Sequence, residues 1–247
     1  MLEEQKVRDA SNADKMAVKP LTALDDIVAY RVRELTGYQS ARYAAGYEAR
    51  VQNIAQLARD KVGERAEDIA IAAAKTLYKV MAYKDEYEVA RLYSNGEFQR
   101  KLEARFEGDY ELRFNLAPPL LSRRDPESGE LIKREFGPWV QTAFSWLARA
   151  RFLRGTVLDI FGYTDERKQE RQDIADYREL LSEIVSRLND DNYATAAELA
   201  GAWYKLRGYG HVKDRNRGQL RAEQAQLLAR LRGEVSEEST VRFINAA

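Results

Sequence analysis

Apolar residues recur at intervals of three and four over most of this chain, and that spacing predicts amphipathic helices. Leu24, Ile27, Val28, Val32 and Leu35 form the first stripe. Thr22 is placed to cap its start, with Asp25 and Asp26 in the first turn, where acids complement the helix dipole. Gly37 punctuates the stripe, and Tyr43, Tyr47, Val51, Ile54 and Ala58 carry it to about residue 61. Beyond Gly63 the spacing predicts a helix over about 66–83, with Ile69, Ala73, Leu77 and Val80 or Met81 on one face. Residues 84–93 read as helical again, Ser94-Asn95-Gly96 as a turn and 97–106 as a further helix.

The period then changes. Residues 110–116 alternate as a strand does, Pro118-Pro119 stops them, and Asp125-Pro126-Glu127-Ser128-Gly129 is turn chemistry. Residues 131–136 make a second short strand, so a two-stranded β insertion is expected over about 109–136. Gly137-Pro138 opens the next helix, whose inward stripe is predicted to be Trp139, Ala143, Trp146 or Leu147, and Ala150. Thr164 is a good N-cap for a long helix to about 188, with Ile174, Tyr177, Leu181, Ile184 and Leu188 facing inward. A short helix over 194–205, a Gly208-Tyr209-Gly210 turn and a last helix over about 214–232, with Leu220, Leu227 and Leu231 inward, complete the pattern. The fold class is mainly α: a single helical domain over 21–232, with long amphipathic helices and a small two-stranded β insertion. Residues 1–20, polar and closed by Lys19-Pro20, read as a flexible linker that follows an upstream sequence, and 233–247 as a tail.

Composition narrows the function classes. The chain has 247 residues, 45% of them hydrophobic, enough for one large core. Forty basic residues balance forty acidic ones, so no global charge draws it to nucleic acid or to an anionic membrane. It has no cysteine, which excludes disulfides, thiolate nucleophiles and cysteine-ligated clusters, and a single histidine, His211. No apolar run approaches the roughly 20 residues of a membrane span, and the polar start lacks the apolar segment of a signal peptide. A cytoplasmic location is expected, with neither nucleic acid nor membrane as partner.

The motifs that carry chemistry are missing. There is no G-x-G-x-x-G, Walker A, G-x-S-x-G, H-E-x-x-H or EF-hand loop. Gly108-Asp109-Tyr110 lacks the second glycine of a thiamine diphosphate motif. The acid pairs Asp25-Asp26 and Asp190-Asp191 fall at helix ends, where the dipole accounts for them. No catalytic, cofactor-binding or metal-ligating residue is therefore assigned. Candidate interface residues come from two stretches. Tyr83, Lys84, Asp85, Tyr87 and Arg91 mix charge with aromatic rings; the plainer reading is intrahelical ion pairs over a tyrosine-lined core. Arg207, His211, Lys213 and Arg215 surround the glycine turn and suit an acidic partner; the plainer reading is salt bridging and helix capping.

Several ordered segments together resemble a known family. They are Lys79-Val80-Met81-Ala82-Tyr83-Lys84-Asp85-Glu86-Tyr87-Glu88-Val89-Ala90-Arg91-Leu92-Tyr93, Phe114-Asn115-Leu116-Ala117-Pro118-Pro119-Leu120-Leu121, Arg134-Glu135-Phe136-Gly137-Pro138-Trp139, Leu153-Arg154-Gly155-Thr156, Phe161-Gly162-Tyr163-Thr164 and Arg207-Gly208-Tyr209-Gly210-His211-Val212-Lys213. The series resembles the C-terminal accessory region, of unassigned role, in the large fused indolepyruvate ferredoxin oxidoreductase family. The resemblance implies a parent enzyme that oxidatively decarboxylates aryl 2-oxoacids to acyl-CoA with thiamine diphosphate, magnesium and iron–sulfur clusters, passing electrons to ferredoxin. It implies those cofactors for the complete enzyme and none for this chain, with the parent's catalytic domains, and possible ferredoxin contact, as partners in a homo-oligomer. Three roles stand as expectations: an architectural domain with an exposed apolar patch, a docking module for ferredoxin or cap over the CoA site, and an independent enzyme in which His211, Lys84 and Asp85 share a pocket.

Overall fold

A computed structural model describes residues 21–108, 111–116, 132–208 and 210–234. The linker at 1–20, Tyr110, Pro118-Pro119, the turn at 125–129, Tyr209 and the tail beyond 234 lie outside the described residues. The chain is mainly helical with a small antiparallel strand pair, as the periodicity predicts.

Helix α1 (Leu24–Tyr38) buries Ile27, Val28 and Leu35; its N-cap is Ala23, without a side-chain hydrogen bond, rather than Thr22. The break follows Tyr38 instead of Gly37. Ser40 sets it, because its hydroxyl accepts from the Tyr43 N–H at 3.2 Å and so begins α2 (Ala41–Val62). Tyr47, Val51, Ile54 and Ala58 are buried along α2. Gly63 (φ 61°) closes it, and one 3₁₀ turn (Gly63–Arg65) leads into α3 (Ala66–Met81).

Helix α3 is the centre of the larger core. It buries Ile69, Ala70, Ala73, Ala74, Leu77, Val80 and Met81, and its small residues let α1, α2, α7 and α8 approach it from different sides. Helix α7 (Asp165–Arg187) starts at Thr164, whose hydroxyl accepts from the Arg167 N–H, and buries Ile174, Tyr177, Leu181 and Ile184. Helix α8 (Tyr193–Ala202) passes through a 3₁₀ turn (Trp203–Lys205) into α9 (Gly210–Leu231). Helix α9 starts four residues before the predicted position, since Asp214 pairs with Arg217 inside the first turns instead of capping them.

A second, smaller core lies beside it. Helices α4 (Glu86–Ser94), α5 (Glu97–Glu103) and α6 (Trp139–Arg149) pack with strands β1 (Phe114–Leu116) and β2 (Arg134–Phe136). The strands are shorter than predicted and pair antiparallel, Phe114 opposite Phe136 and Leu116 opposite Arg134. The Tyr93 ring stacks on Phe144 at 5.4 Å and meets Phe98 and Phe114 edge-on.

Helix α6 corrects the predicted stripe. Val140, Phe144 and Ala148 face the core, with Leu147, the alternative to Trp146, packed partly buried against it, while Trp139, Ala143 and Trp146 face outward. Both sets have helical spacing, so periodicity cannot choose between them. Packing does: the Phe144 ring fits between Tyr93 and Phe114, a slot already walled by aromatic rings.

One buried ion pair joins the two cores. Arg154, just after α6, donates to Asp85 from Nε at 2.5 Å and Nη2 at 2.8 Å, and from Nη1 to the Tyr38 carbonyl at 2.5 Å. Both side chains are 3% exposed, and the guanidinium lies 3.7 Å from the Tyr38 ring centroid. Burial works against the Arg154 charge, but the Asp85 hydrogen bonds outweigh it and raise the Arg154 pKa above its ordinary value. Asp85 also caps α4 by accepting from the Glu88 N–H at 2.8 Å.

Candidate functional site

The first candidate stretch divides. Asp85 serves the joint just described. The Tyr87 hydroxyl donates to Asp159 at 3.2 Å, and Arg91 grips Glu88 with two bonds at 2.8 Å and lies 3.6 Å from Glu34. These polar groups are spent inside the fold. Tyr83 is buried too, and burial pushes its hydroxyl pKa up to about 12. Lys84 alone of the five turns outward, with no partner among the described residues.

Lys84 lines a cavity of about 280 Å³ between the end of α3, the first half of α7, the turn after α8 and the first turns of α9. Val80, Ala82, Trp203 and Leu206 supply its apolar surface. Its two acids are matched from within. Glu170 accepts from Arg167 at 2.5 Å and Lys213 at 2.6 Å, and Asp173 is held by Arg217 at 3.0 Å. Burial disfavours the Arg167 charge, but Glu170 and Glu86 beside it lift its pKa above the usual value.

The other cations on the lining have no carboxylate partner among the described residues. Lys79 Nζ donates to the Tyr204 carbonyl at 2.5 Å and the Leu206 carbonyl at 2.6 Å. Arg207 Nη1 donates to the same two oxygens, at 2.6 and 3.2 Å. Gly208 (φ 103°) carries the chain tightly across α9, where a Cβ would come within 2.9 Å of Val212 Cγ1 and 3.1 Å of the Lys213 nitrogen. Thus two segments 123 positions apart in sequence, around Lys84 and around Arg207, meet in one place. His211 and Arg215 are exposed and stand off the lining, so His211, Lys84 and Asp85 do not share a pocket. Lys79 was missed by sequence reasoning; its helical spacing with Tyr83 was the available signal.

A second feature lies on the smaller core. Trp139, Trp146, Phe152, Val157, Leu158, Ile160 and Tyr163 are each at least 59% exposed, whereas no large hydrophobic elsewhere among the described residues exceeds 55%. The segment after α6 that presents five of them is built rather than slack. Asp159, itself buried, accepts from the N–H groups of Gly155 (2.8 Å) and Gly162 (3.1 Å) and from Tyr87. A Cβ at Gly162 would come within 2.5 Å of Asp159 Oδ2, so glycine is required there. Asp159 is the only acid between residues 137 and 164, and it is buried. The predicted Trp residues of the α6 stripe are thus surface residues.

Among the described residues no helix is long and apolar enough to cross a membrane. A family model described as "Family of unknown function (DUF6537)" matches residues 24–226. No curated protein and no solved structure matches the chain.

Proposed function

Since the chain belongs to the DUF6537 family, we propose that this domain is an architectural accessory module of an indolepyruvate:ferredoxin-type 2-oxoacid oxidoreductase and carries no catalysis of its own. The resemblance set out from the sequence supplies the parent enzyme. The observation that supports the architectural role is the outward apolar face of α6 and the segment after it. Seven large apolar side chains held in water on a braced scaffold favour a protein partner, and surface of that kind marks interaction sites. The partner in this reading is a catalytic domain of the parent, working in the cytoplasm.

The parent's cofactors do not fit this chain's donors. Iron–sulfur clusters need thiolates, and the chain has no cysteine. Among the described residues no three histidine, aspartate or glutamate side chains gather as a metal site would need. In this reading thiamine diphosphate, magnesium and the clusters are supplied by the catalytic domains of the complete enzyme. Ferredoxin docking through the basic stretch stands as the second reading: Lys213 is paired with Glu170, but Arg207 meets only carbonyl oxygens and Arg215 is exposed with no acid partner among the described residues. An independent enzyme around His211 loses its premise with the separation of His211, Lys84 and Asp85.

The test is co-purification of the tagged chain with a thiamine- and cluster-bearing 2-oxoacid oxidoreductase that lacks its own copy of this domain. The wild-type chain should retain the enzyme, and the double variant Trp146→Asp/Phe152→Asp should retain at least about tenfold less. Retention that survives both substitutions would remove the apolar face from the account. No retention of the enzyme by the wild type would remove the parent.

A further inference from the structure

Lys79 and Arg207 present an electrostatic problem that the fold does not solve. Both are bound to Tyr204 O, at 2.5 and 2.6 Å, so the two charges stand no more than about 5 Å apart. One cation at that place is ordinary, because the carbonyls that end a helical turn are negative and attract it. A second on the same two oxygens adds repulsion, and neither has a carboxylate partner among the described residues. Lys84, on the same lining, has no partner at all among them. The Tyr204 ring, 5.1 Å from Lys79 Nζ and 5.5 Å from the Arg207 guanidinium, offsets the two in part, but each acid on this wall already has its cation, so no carboxylate among the described residues is left for the three.

The surroundings define what would offset them. The floor of the cavity is apolar, from Val80, Ala82, Leu206 and the almost fully buried Trp203. A volume of about 280 Å³ sits at the small end of ligand pockets. We propose that this cavity binds a small phosphomonoester with an apolar body, its dianionic head between Lys79, Arg207 and Lys84 and its body on the Val80–Leu206 floor. A phosphate oxygen set accepts from arginine and lysine together at full charge, which a single carboxylate does less well. The site is separate from the apolar face, so the proposal stands whether or not the parent enzyme is the one named above.

The experiment is isothermal titration of the full chain with four probes: hexyl phosphate, hexanoate, inorganic phosphate and hexanol. Hexyl phosphate should bind saturably and at least about tenfold more tightly than each of the others. Arg207→Gln and Lys84→Gln each change an exposed side chain, and each should weaken hexyl phosphate about tenfold or more while circular dichroism stays that of the wild type. Arg215→Gln, an exposed cation off the lining, should leave the affinity unchanged. Absence of saturable binding, or equal binding in all four chains, would overturn the site. Hexanoate equal to hexyl phosphate would overturn the phosphate assignment, and inorganic phosphate equal to it would overturn the apolar half.

Discussion

The two cores of this chain solve the same problem with different completeness. Around α3 the apolar stripes of α1, α2, α7, α8 and α9 all turn inward, and the buried tyrosines give their hydroxyls to backbone oxygens: Tyr47 to Ala74 at 3.0 Å, Tyr177 to Ala200 at 2.6 Å. That satisfies these hydroxyls at the place where leaving them unpaired would cost most. Among the described residues the smaller core buries only Ala90, Phe114, Val140, Phe144 and Ala148. Its helix α6 is apolar on two sides and can bury only one, so the tryptophans remain in water. What the contrast teaches is where to look for a partner: in the region whose apolar residues outnumber the places its own fold offers them.

The comparison breaks most sharply at the joint. Arg154→Leu leaves the Asp85 carboxylate buried without its cation, and should cost about 3–5 kcal/mol in urea unfolding. Adding Asp85→Ser removes the stranded charge yet keeps an oxygen to cap α4, and should recover more than half of that loss. A double variant no more stable than Arg154→Leu would show that the pair does not act as argued. Next in size is the contrast between the cores themselves. Phe144→Ala should cost roughly 3 kcal/mol, and Leu77→Ala a similar amount. Their hydrogen-exchange patterns should differ, however. Phe144→Ala is expected to release the amides of α4 and α6 while α3 stays protected, whereas Leu77→Ala lowers protection throughout. Equal loss in α3 from both would make the two cores one cooperative unit.

Most of the larger core was legible in the sequence because its long helices α1, α2 and α7 each have one apolar stripe and polar residues opposite. Ile174, Tyr177, Leu181, Ile184 and Leu188 have one helical reading, and all five are buried. The smaller core was legible only as elements. Helix α6 carries two stripes, and the choice rests on Tyr93 and Phe114, which arrive from other parts of the chain. The candidate residues divide on the same ground. Spacing singled out Lys84 and Arg207 separately, but their meeting depends on how α3 lies against the turn after α8. Asp85 looked like half of an interface because its partner, Arg154, lies 69 positions away.

The smallest expected effect lies on the outside of the larger core and marks how little its surface contributes. Glu183 on α7 accepts from Arg232 Nε at 2.7 Å and Nη2 at 3.0 Å, and from Arg187 at 3.0 Å. The Arg232 hydrogen bonds, with Arg187 behind them, hold the Glu183 carboxyl below its ordinary range. A carboxyl whose pKa is lower folded than unfolded stabilises the fold fully above the ordinary carboxylate range, and that contribution fades as pH falls through the lowered value. Both partners are partly exposed and screened by water, so Arg232→Gln should cost only a small fraction of the Arg154→Leu deficit near pH 7. The difference from wild type should vanish in acid and shrink in high salt, where the Arg154→Leu deficit at the dry joint persists. A deficit for Arg232→Gln that matched Arg154→Leu in size and salt response would place the two ion pairs in the same class and remove the contrast between surface and joint.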